Sequence, residues 1–372
     1  MASAALLDRL DRWLSDPARE ALRAAVALAQ QRGEPVYLAG GAVRDLLLDA
    51  PQLDLDLVVE GDAAALAQAL AAALGARAVV HARFGTAVLQ GDGFRLDFAR
   101  ARLERYERPG ALPAVRPAAL LDDLARRDFT VNAMALRLSE PGAGALVDPH
   151  GGRADLDARF IRVLHDAGFR DDATRILRAL RYAGRLGCSL DPGSEALLRR
   201  DLPCFDTISG ARLRHEIERI AQEEQVEAIV RRAVELGVLA AVHPALRPAE
   251  RDLRACGRLA ALAPSHRDAA LLCLLLARAA PPDTEAAIAR LSLTGRQAAA
   301  VRGALALRAD EARLSDASLR PSEAVALLDG QPALAVEAFA LIAARAAAER
   351  ARRYLEEWRA LRPRLTGRDV QA

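Results

Sequence analysis

The sequence contains no lysine, so all 52 of its basic residues are arginine, and Asn132 is its only asparagine. The missing lysine excludes a Walker-type phosphate loop, which needs a Gly-Lys-Ser/Thr segment. The net charge of +2 in 372 residues is too small to indicate nucleic-acid binding by itself. Any contact with RNA therefore has to come from local patches of arginine.

Cysteine is also scarce, and no apolar run is long and charge-free enough to span a membrane. The cysteines have no paired short spacing, which favours reduced thiols over a zinc site. They are Cys188, Cys204, Cys256 and Cys273. The first residues, MASAALLDRLDRWL, lack the basic-then-apolar pattern of a signal peptide. We expect a soluble cytoplasmic protein with no membrane partner, and its oligomeric state is left open.

The segment 36–59, VYLAGGAVRDLLLDAPQLDLDLVV, carries the strongest local pattern. A short apolar run ends at Gly40 and Gly41, which open an amphipathic helix bearing Arg44 and Asp45. Glycines let backbone N–H groups approach an anion at a helix N-terminus, and an arginine adds a forked contact to phosphate. The pattern indicates a phosphate-binding turn, in which Asp45 orients the Arg44 region.

Asp54 and Asp56 lie in the second apolar run of this segment. Side chains two apart in a strand point to the same face, so both carboxylates project together while Leu55 and Leu57 face the core. An isolated Asp-x-Asp is common at solvated strand ends. The order of strand, glycine turn, arginine-bearing helix and acidic strand favours a pair of carboxylates that bind divalent metal beside a phosphate.

Later segments complete a family resemblance. GGAVRD and LDLDLVVEG resemble the first motif of the class II tRNA nucleotidyltransferase and bacterial poly(A) polymerase family, within the superfamily of DNA polymerase beta. Further stretches resemble its second to fifth motifs in order. They are RRDFTVNAMAL (126–136), DPHGGRADL (148–156), DDATRILRALRYAGRLG (171–187) and ISGARLRHEI (208–217). The resemblance covers about residues 35–220.

The residue pattern and the resemblance agree on an α+β head followed by an all-α half. The strand candidates are VYLA, LDLVV, ARAVV, TAVLQ and FRLDFA. Helices are expected over 3–32 and 62–74. After about residue 155, apolar residues recur only at helical spacing. The resemblance implies a polymerase beta-like nucleotidyltransferase head and a neck, body and tail. The predicted domains are a helical extension (1–34), the head (35–155), a nucleotide-selecting neck (156–222) and an RNA-binding body and tail (223–372).

The segment 99–123 is rich in proline and opposite charges, so we expect an irregular mobile loop or a solvated connection. The family has a flexible loop at this point, linked to the switch from adding C to adding A. CC-adding members tend to have a shortened loop, and this one looks full-length.

The resemblance implies Mg²⁺ as cofactor, with Asp54 and Asp56 as metal ligands. A third catalytic carboxylate is usual on a neighbouring strand, and Asp97 in FRLDFA is the best candidate by position. An ordinary strand-end aspartate remains an equal alternative for Asp97.

The stretch RRDFTVNAM is expected to be a charged turn before an apolar helix that begins near Phe129. The resemblance implies that Arg127 contacts the triphosphate or the ribose. It also implies that Asp128 and Asn132 help to read the ribose 2′-hydroxyl.

Asp172, Arg175, Arg178 and Arg181 are spaced by three and are expected to share one stripe of a helix. A solvated charged face is the plain interpretation. The resemblance implies that Asp172 and Arg175 form a template for the incoming base, with Arg178 and Arg181 also at the nucleotide. Cytosine and adenine both present an amine beside a ring-nitrogen acceptor, whereas uracil and guanine present a carbonyl beside an N–H. A carboxylate and a guanidinium therefore accept C and A and reject U and G.

The predicted function is template-independent addition of CCA to the 3′ end of tRNA, with CTP and ATP as substrates. Addition of A only, addition of CC only and poly(A) synthesis remain open, because these enzymes share the motifs. A tRNA-binding protein without catalytic activity is the alternative from another class.

Overall fold

The computed structural model describes residues 2–50, 55–81 and 85–361, and it divides into two compact units. The first unit is Met1–Arg175 with Gly187–Leu198, and the second is Ile176–Leu186 with Arg199–Ala372. The four domains drawn from the sequence stay a prediction.

Two helices of the first unit begin where a side chain accepts from one of their free N–H groups. The Ser15 hydroxyl accepts from the Ala18 N–H at 3.4 Å, and the Asp62 carboxylate accepts from the Ala65 N–H at 3.0 Å. The helices expected over 3–32 and 62–74 are thereby confirmed. The helices are Ala2–Trp13 (α1), Asp16–Gln31 (α2), Gly41–Leu47 (α3), Ala63–Leu74 (α4), Leu120–Ala125 (α5), Gly152–Asp157 (α6) and Gly168–Asp171 (α7). Two more helices, Thr174–Leu186 (α8) and Pro192–Asp201 (α9), have residues in both units.

A sheet of seven strands forms the centre of the first unit, in the order β3-β4-β5-β2-β1-β8-β9. All five predicted strands are present, and β8 and β9 extend the sheet beyond them. Only β2 and β5 pair in parallel; the other neighbours are antiparallel. The strands are Val36–Ala39 (β1), Asp56–Val59 (β2), Arg77–His81 (β3), Thr86–Gly91 (β4), Phe94–Arg100 (β5), Ala135–Arg137 (β8) and Leu146–Val147 (β9).

Both faces of the central strands are covered. On one face, Leu55 and Leu57 are buried in the main core with residues of α1, α2 and α4, as the sequence predicts. On the other face, Val58 packs with Leu120 and Leu124 of α5. Because side chains alternate along a strand, Asp56 lies on the same face as Val58. The acidic strand and α5 therefore share one side of the sheet.

The expectation of an irregular loop over 99–123 is wrong. The segment contains an antiparallel hairpin of Arg102–Arg105 (β6) and Ala114–Pro117 (β7), and it leads into α5. Among the described residues its strands pair only with each other, and three of the four residues of β6 are charged. Arg102 and Glu104, on one face of β6, form an ion pair at 2.8 Å.

The helix expected from Phe129 is also absent. A single 3-10 turn, Thr130–Asn132, is followed by β8, because Leu136 pairs with Leu38 at the edge of β1. Two further short strands, Phe160–Ile161 (β10) and Ser189–Leu190 (β11), pair in parallel where only helices were expected.

In the described part of the second unit, every regular element is helical. A core that includes Leu307, Val336, Phe339 and Tyr354 joins its last helices. The described residues contain no single helix able to cross a membrane; Pro321–Asp329 and Ala333–Ile342 reach that length and composition only as a bent pair. The helices are Gly210–Ile220 (α10), Val226–Glu235 (α11), Val238–Val242 (α12), Glu250–Cys256 (α13), Pro264–Leu275 (α14), Pro281–Arg290 (α15), Gly295–Ala309 (α16), Glu311–Ser315 (α17), Pro321–Asp329 (α18), Ala333–Ile342 (α19) and Arg345–Glu356 (α20).

Gly210 and Gly295 make a matched test of packing in this unit, because each is the first residue of a helix. A Cβ on Gly210 would overlap the carbonyl oxygen of Arg290, whereas a Cβ on Gly295 would have nothing within 4 Å. We expect Gly210→Ala to lower the free energy of unfolding by about 1–3 kcal/mol. Gly295→Ala should leave it equal or slightly higher. Urea denaturation followed by circular dichroism measures both, and equal stabilities would contradict the packing.

Candidate active site

The turn after β1 brings a glycine against an arginine from a distant part of the chain. Gly40 has a φ of 74°, which favours glycine, and its N–H donates to the Met134 carbonyl at 2.9 Å. A Cβ at this position would overlap Nη1 of Arg127. Gly40 is followed by Gly41, the first residue of α3. The glycine turn and the second predicted motif are therefore in direct contact.

Arg44 is 4% exposed and is held by polar groups of both motifs. Its Nη1 donates to the Asn132 side-chain oxygen at 2.6 Å, and its Nε donates to Asp45 at 2.8 Å. The second contact fits the prediction that Asp45 orients Arg44. The Asn132 amide donates in turn to Asp128 at 3.0 Å. Both polar ends of the only asparagine are thus bonded within the site, and its predicted role in reading the ribose stays a prediction.

Asp123 is a site residue that the sequence reasoning missed. Its side chain is fully buried, and it accepts from both arginines that follow α5. One oxygen accepts from Arg126 at 2.6 and 3.0 Å, and the other accepts from Arg127 at 3.0 and 3.3 Å. Glu104 of the hairpin also accepts from Arg126, at 2.8 Å. The available signal was the spacing, since Asp123 precedes the two arginines by three and four residues, which are helical neighbours.

The proposed metal-binding carboxylates lie on adjacent strands. Asp56 and Asp97 are partners in the parallel register of β2 and β5, so their side chains leave the same face of the sheet. Asp97 also pairs with Arg95 at 3.1 Å. Asp54 lies outside the described residues. The structure brings together two of the three predicted carboxylates, and their roles stay predictions.

Asp172 and Arg175 do not share a helical stripe, contrary to expectation. Asp172 has an extended backbone before α8, and its carboxylate accepts from the Thr174 N–H at 3.0 Å and hydroxyl at 2.7 Å. Helix-capping carboxylates sit outside the helix they cap. Arg175 is 5% exposed, and its Nη2 donates to the Arg126 carbonyl at 2.8 Å. Its Nη1 is buried with no hydrogen-bond partner in the described part of the chain.

Tyr106 of the hairpin segment lies beside this pair. Burial, with the negative charges of Glu104 and Asp172, raises the pKa of its hydroxyl to about 12, although Arg175 acts in the opposite direction. The hydroxyl is therefore protonated at neutral pH and donates to Glu104 at 3.3 Å.

Arg178 and Arg181 belong to the second unit, where carboxylates surround them. Arg181 is 2% exposed, with Glu216 at 3.6 Å and Glu223 at 3.4 Å. Arg178 lies 3.8 Å from Glu216, and both guanidinium groups lie over the Tyr182 ring. Their predicted contacts with the nucleotide stay predictions.

Comparison with known proteins finds a head-domain family and several similar enzymes. Residues 36–162 match the family model of the poly(A) polymerase head domain. Over 241 residues, the chain is 42% identical to the A-adding tRNA nucleotidyltransferase of Geobacter sulfurreducens, covering 64% of this chain and 27% of that protein. Over 188 residues, it is 45% identical to the CC-adding enzyme of Deinococcus radiodurans, covering 50% and 47%.

The chain therefore contains a poly(A) polymerase head domain and is similar to tRNA nucleotidyltransferases. It spans about a quarter of the first relative's length and about half of the second's. A solved structure described as a CCA-adding enzyme in apo form II superimposes with a TM-score of 0.88 at 28% identity, covering 98% of this chain and 89% of that one. The predicted polymerase beta-like head and helical second half are thereby confirmed.

Gly40 and Gly33 offer a matched test of the site. Both have positive φ, but a Cβ on Gly33 would have nothing within 4 Å. Alanine at Gly33 should cost about 1 kcal/mol of stability from the backbone, whereas alanine at Gly40, whose ψ of −130° lies outside the left-handed helical region, should cost about 1–3 kcal/mol. Only Gly40→Ala should displace Arg127 and weaken nucleotide binding, by about tenfold or more for the loss of one charge-assisted contact. Equilibrium dialysis with labelled ATP measures the difference; equal affinities for the two variants would contradict the placement of Arg127.

Proposed function

We propose that this protein transfers nucleotides from CTP and ATP to the 3′ end of tRNA and completes the CCA end. The observation that carries the proposal is the buried Nη1 of Arg175, which has no hydrogen-bond partner among the described residues. A buried donor without a partner is costly, so a ligand that accepts its hydrogen bond is favoured. The ring nitrogen of cytosine or adenine is such an acceptor.

The phosphate end of the nucleotide is proposed to lie at Gly40, Gly41 and Arg127. The absent Cβ of Gly40 lets the Arg127 guanidinium lie against the turn, and this guanidinium is partly exposed. A guanidinium presents paired N–H donors that match phosphate oxygens. Arg44 and Asp45 are bonded to each other. We assign them to keeping this turn in shape.

The carboxylates fit a divalent cation. Asp56 and Asp97 project from neighbouring positions of one sheet face, and Asp54 precedes Asp56 by two residues. Carboxylate oxygens are the ligands that Mg²⁺ prefers. When bound, the metal would supply positive charge that makes the RNA 3′-hydroxyl more acidic and stabilises the pyrophosphate leaving group.

Base selection is assigned to Asp172 and Arg175. The carboxylate would accept from the exocyclic amine of C or A, and the guanidinium would donate to the ring nitrogen. Uracil or guanine would place like groups against both side chains. In a dry site, unpaired polar groups of this kind give discrimination on the order of 10⁴-fold.

Addition of the final A alone is the second candidate, because the relative in Geobacter sulfurreducens is named an A-adding enzyme. Addition of CC alone is disfavoured by the complete hairpin β6–β7, since the CC-adding members resembled by the sequence tend to have this loop shortened.

Defined tRNA ends separate these activities. The purified protein is given tRNAs that end before CCA, after one C or after CC, with CTP, ATP or both, and the products are sized. We expect all three to be extended to CCA. If only the CC-ended tRNA is extended, and by a single A, the protein adds the final A alone and complete CCA addition is wrong. Long A tails on unrelated RNA would indicate a poly(A) polymerase.

Asp56→Asn tests the proposed chemistry. Removal of one metal-binding charge should lower the incorporation rate at least about 10³-fold, because metal charge stabilises the transition state by several kcal/mol. Binding of tRNA should be unchanged. Asp92→Asn is the control, since Asp92 is an exposed residue of the β4–β5 turn. Incorporation by Asp56→Asn at the rate of the Asp92→Asn control would overturn the metal assignment, and no incorporation by the wild type would favour a role for the protein in binding alone.

A further inference from the structure

Asp123 connects two parts of the proposed nucleotide site. Its carboxylate is fully buried, yet none of its hydrogen bonds reaches a proposed ligand position directly. Oδ1 accepts from Arg126 and from the Arg102 N–H, at 3.3 Å for the latter, and Oδ2 accepts from Arg127. The two oxygens thus hold adjacent arginines in different orientations.

Each of these arginines extends to one end of the site. Arg127 places its Nη1 against Gly40 and near the Asn132 carbonyl, at 3.4 Å from that oxygen. Arg126 offers its own carbonyl oxygen to Arg175 Nη2 at 2.8 Å. The phosphate end and the base end are therefore connected through Asp123 by side-chain and backbone contacts within the first unit.

We propose that Asp123 is a positioning residue that fixes Arg127 against the glycine turn and, through Arg126, fixes Arg175 at the base. The inference rests on the proposed function and adds to it that one carboxylate sets both nucleotide affinity and base preference.

The chemistry requires both oxygens of a carboxylate. Four guanidinium N–H groups, two from Arg126 and two from Arg127, donate to the two oxygens of Asp123. An asparagine at this position has only one oxygen, so it can accept from one arginine while its NH₂ group faces the other. Arg126 would keep Glu104 as a partner. Arg127 would lose the only carboxylate that it contacts among the described residues, and Arg126 would be held by Glu104 alone, so both arginines can shift.

The primary test compares Asp123→Asn with Asp122→Asn, which makes the same charge change at the exposed neighbour on α5. We expect Asp123→Asn to raise the KM for ATP about tenfold or more, because one charge-assisted contact is lost. The KM for tRNA should stay within about twofold of the wild-type value. The variant's preference for ATP over GTP should also fall about tenfold. Asp122→Asn should match the wild type in all three.

A purely structural role predicts a different result, namely a lower Tm with unchanged KM and base preference. That result would overturn the proposal, and an altered KM with unchanged base preference would overturn the connection to Arg175. A double-mutant cycle separates the roles further. If Asp123 acts on ATP affinity through Arg127, then Asp123→Asn should add little to the KM of Arg127→Gln; fully additive effects would contradict this.

Two further measurements keep the test decisive. The first is Arg127→Lys, which can be measured even if Asp123→Asn does not fold. Lysine retains the charge but lacks the paired N–H donors of a guanidinium, so this variant should raise the KM for ATP. A KM within about twofold of wild type would overturn the proposal. If the wild type extends no tRNA, the proposed function fails. Equilibrium binding of ATP to the wild type, Asp122→Asn and Asp123→Asn then tests the positioning role alone, and equal affinities would overturn it.

Discussion

Burial of guanidinium groups is the constraint on which the head depends. Arginine keeps its charge at any physiological pH, so each buried guanidinium needs oxygen acceptors within the protein or the ligand. Arg44 obtains them from Asn132 and Asp45, and Arg126 and Arg127 share Asp123. The 3-10 turn at Thr130–Asn132 and the end of α5 are positioned by these needs as much as by the apolar core.

Glu60 connects this polar network to the acidic strand. Its carboxylate accepts from the Leu120 N–H at the start of α5 at 2.7 Å and from the Tyr37 hydroxyl at 3.0 Å. Leu120 and Leu124 of α5 pack against Val58 of β2. Polar and apolar contacts therefore place α5, and with it Asp123, relative to the strand that carries Asp56. The groups proposed to bind metal and phosphate are therefore positioned by one strand and one helix.

Much of the head was predictable because its main strands alternate or run apolar between turn residues, and the glycine turn follows directly from Gly40 and Gly41. The hairpin β6–β7 was not, since it pairs only with itself and needs no apolar face. Asp172 precedes Arg175 by three residues, which is a helical spacing, but it caps the helix. Spacing alone does not distinguish a residue inside a helix from one that caps it. In the sequence, Asp123 has the pattern of a solvated charge on a helix, because its contacts with Arg126 and Arg127 are visible only in the folded structure.

The central claim is that one compact head holds the triphosphate at Gly40 and Arg127 and the metal at Asp56. The most direct measurement is a crystal structure of the protein soaked with Mn²⁺ and a non-hydrolysable ATP analogue, with the metal located by its anomalous scattering. The account predicts a Mn²⁺ peak bridging the Asp56 carboxylate and the triphosphate, with the γ-phosphate or β-phosphate on Arg127. Density for the triphosphate elsewhere, with no metal at Asp56, would contradict it.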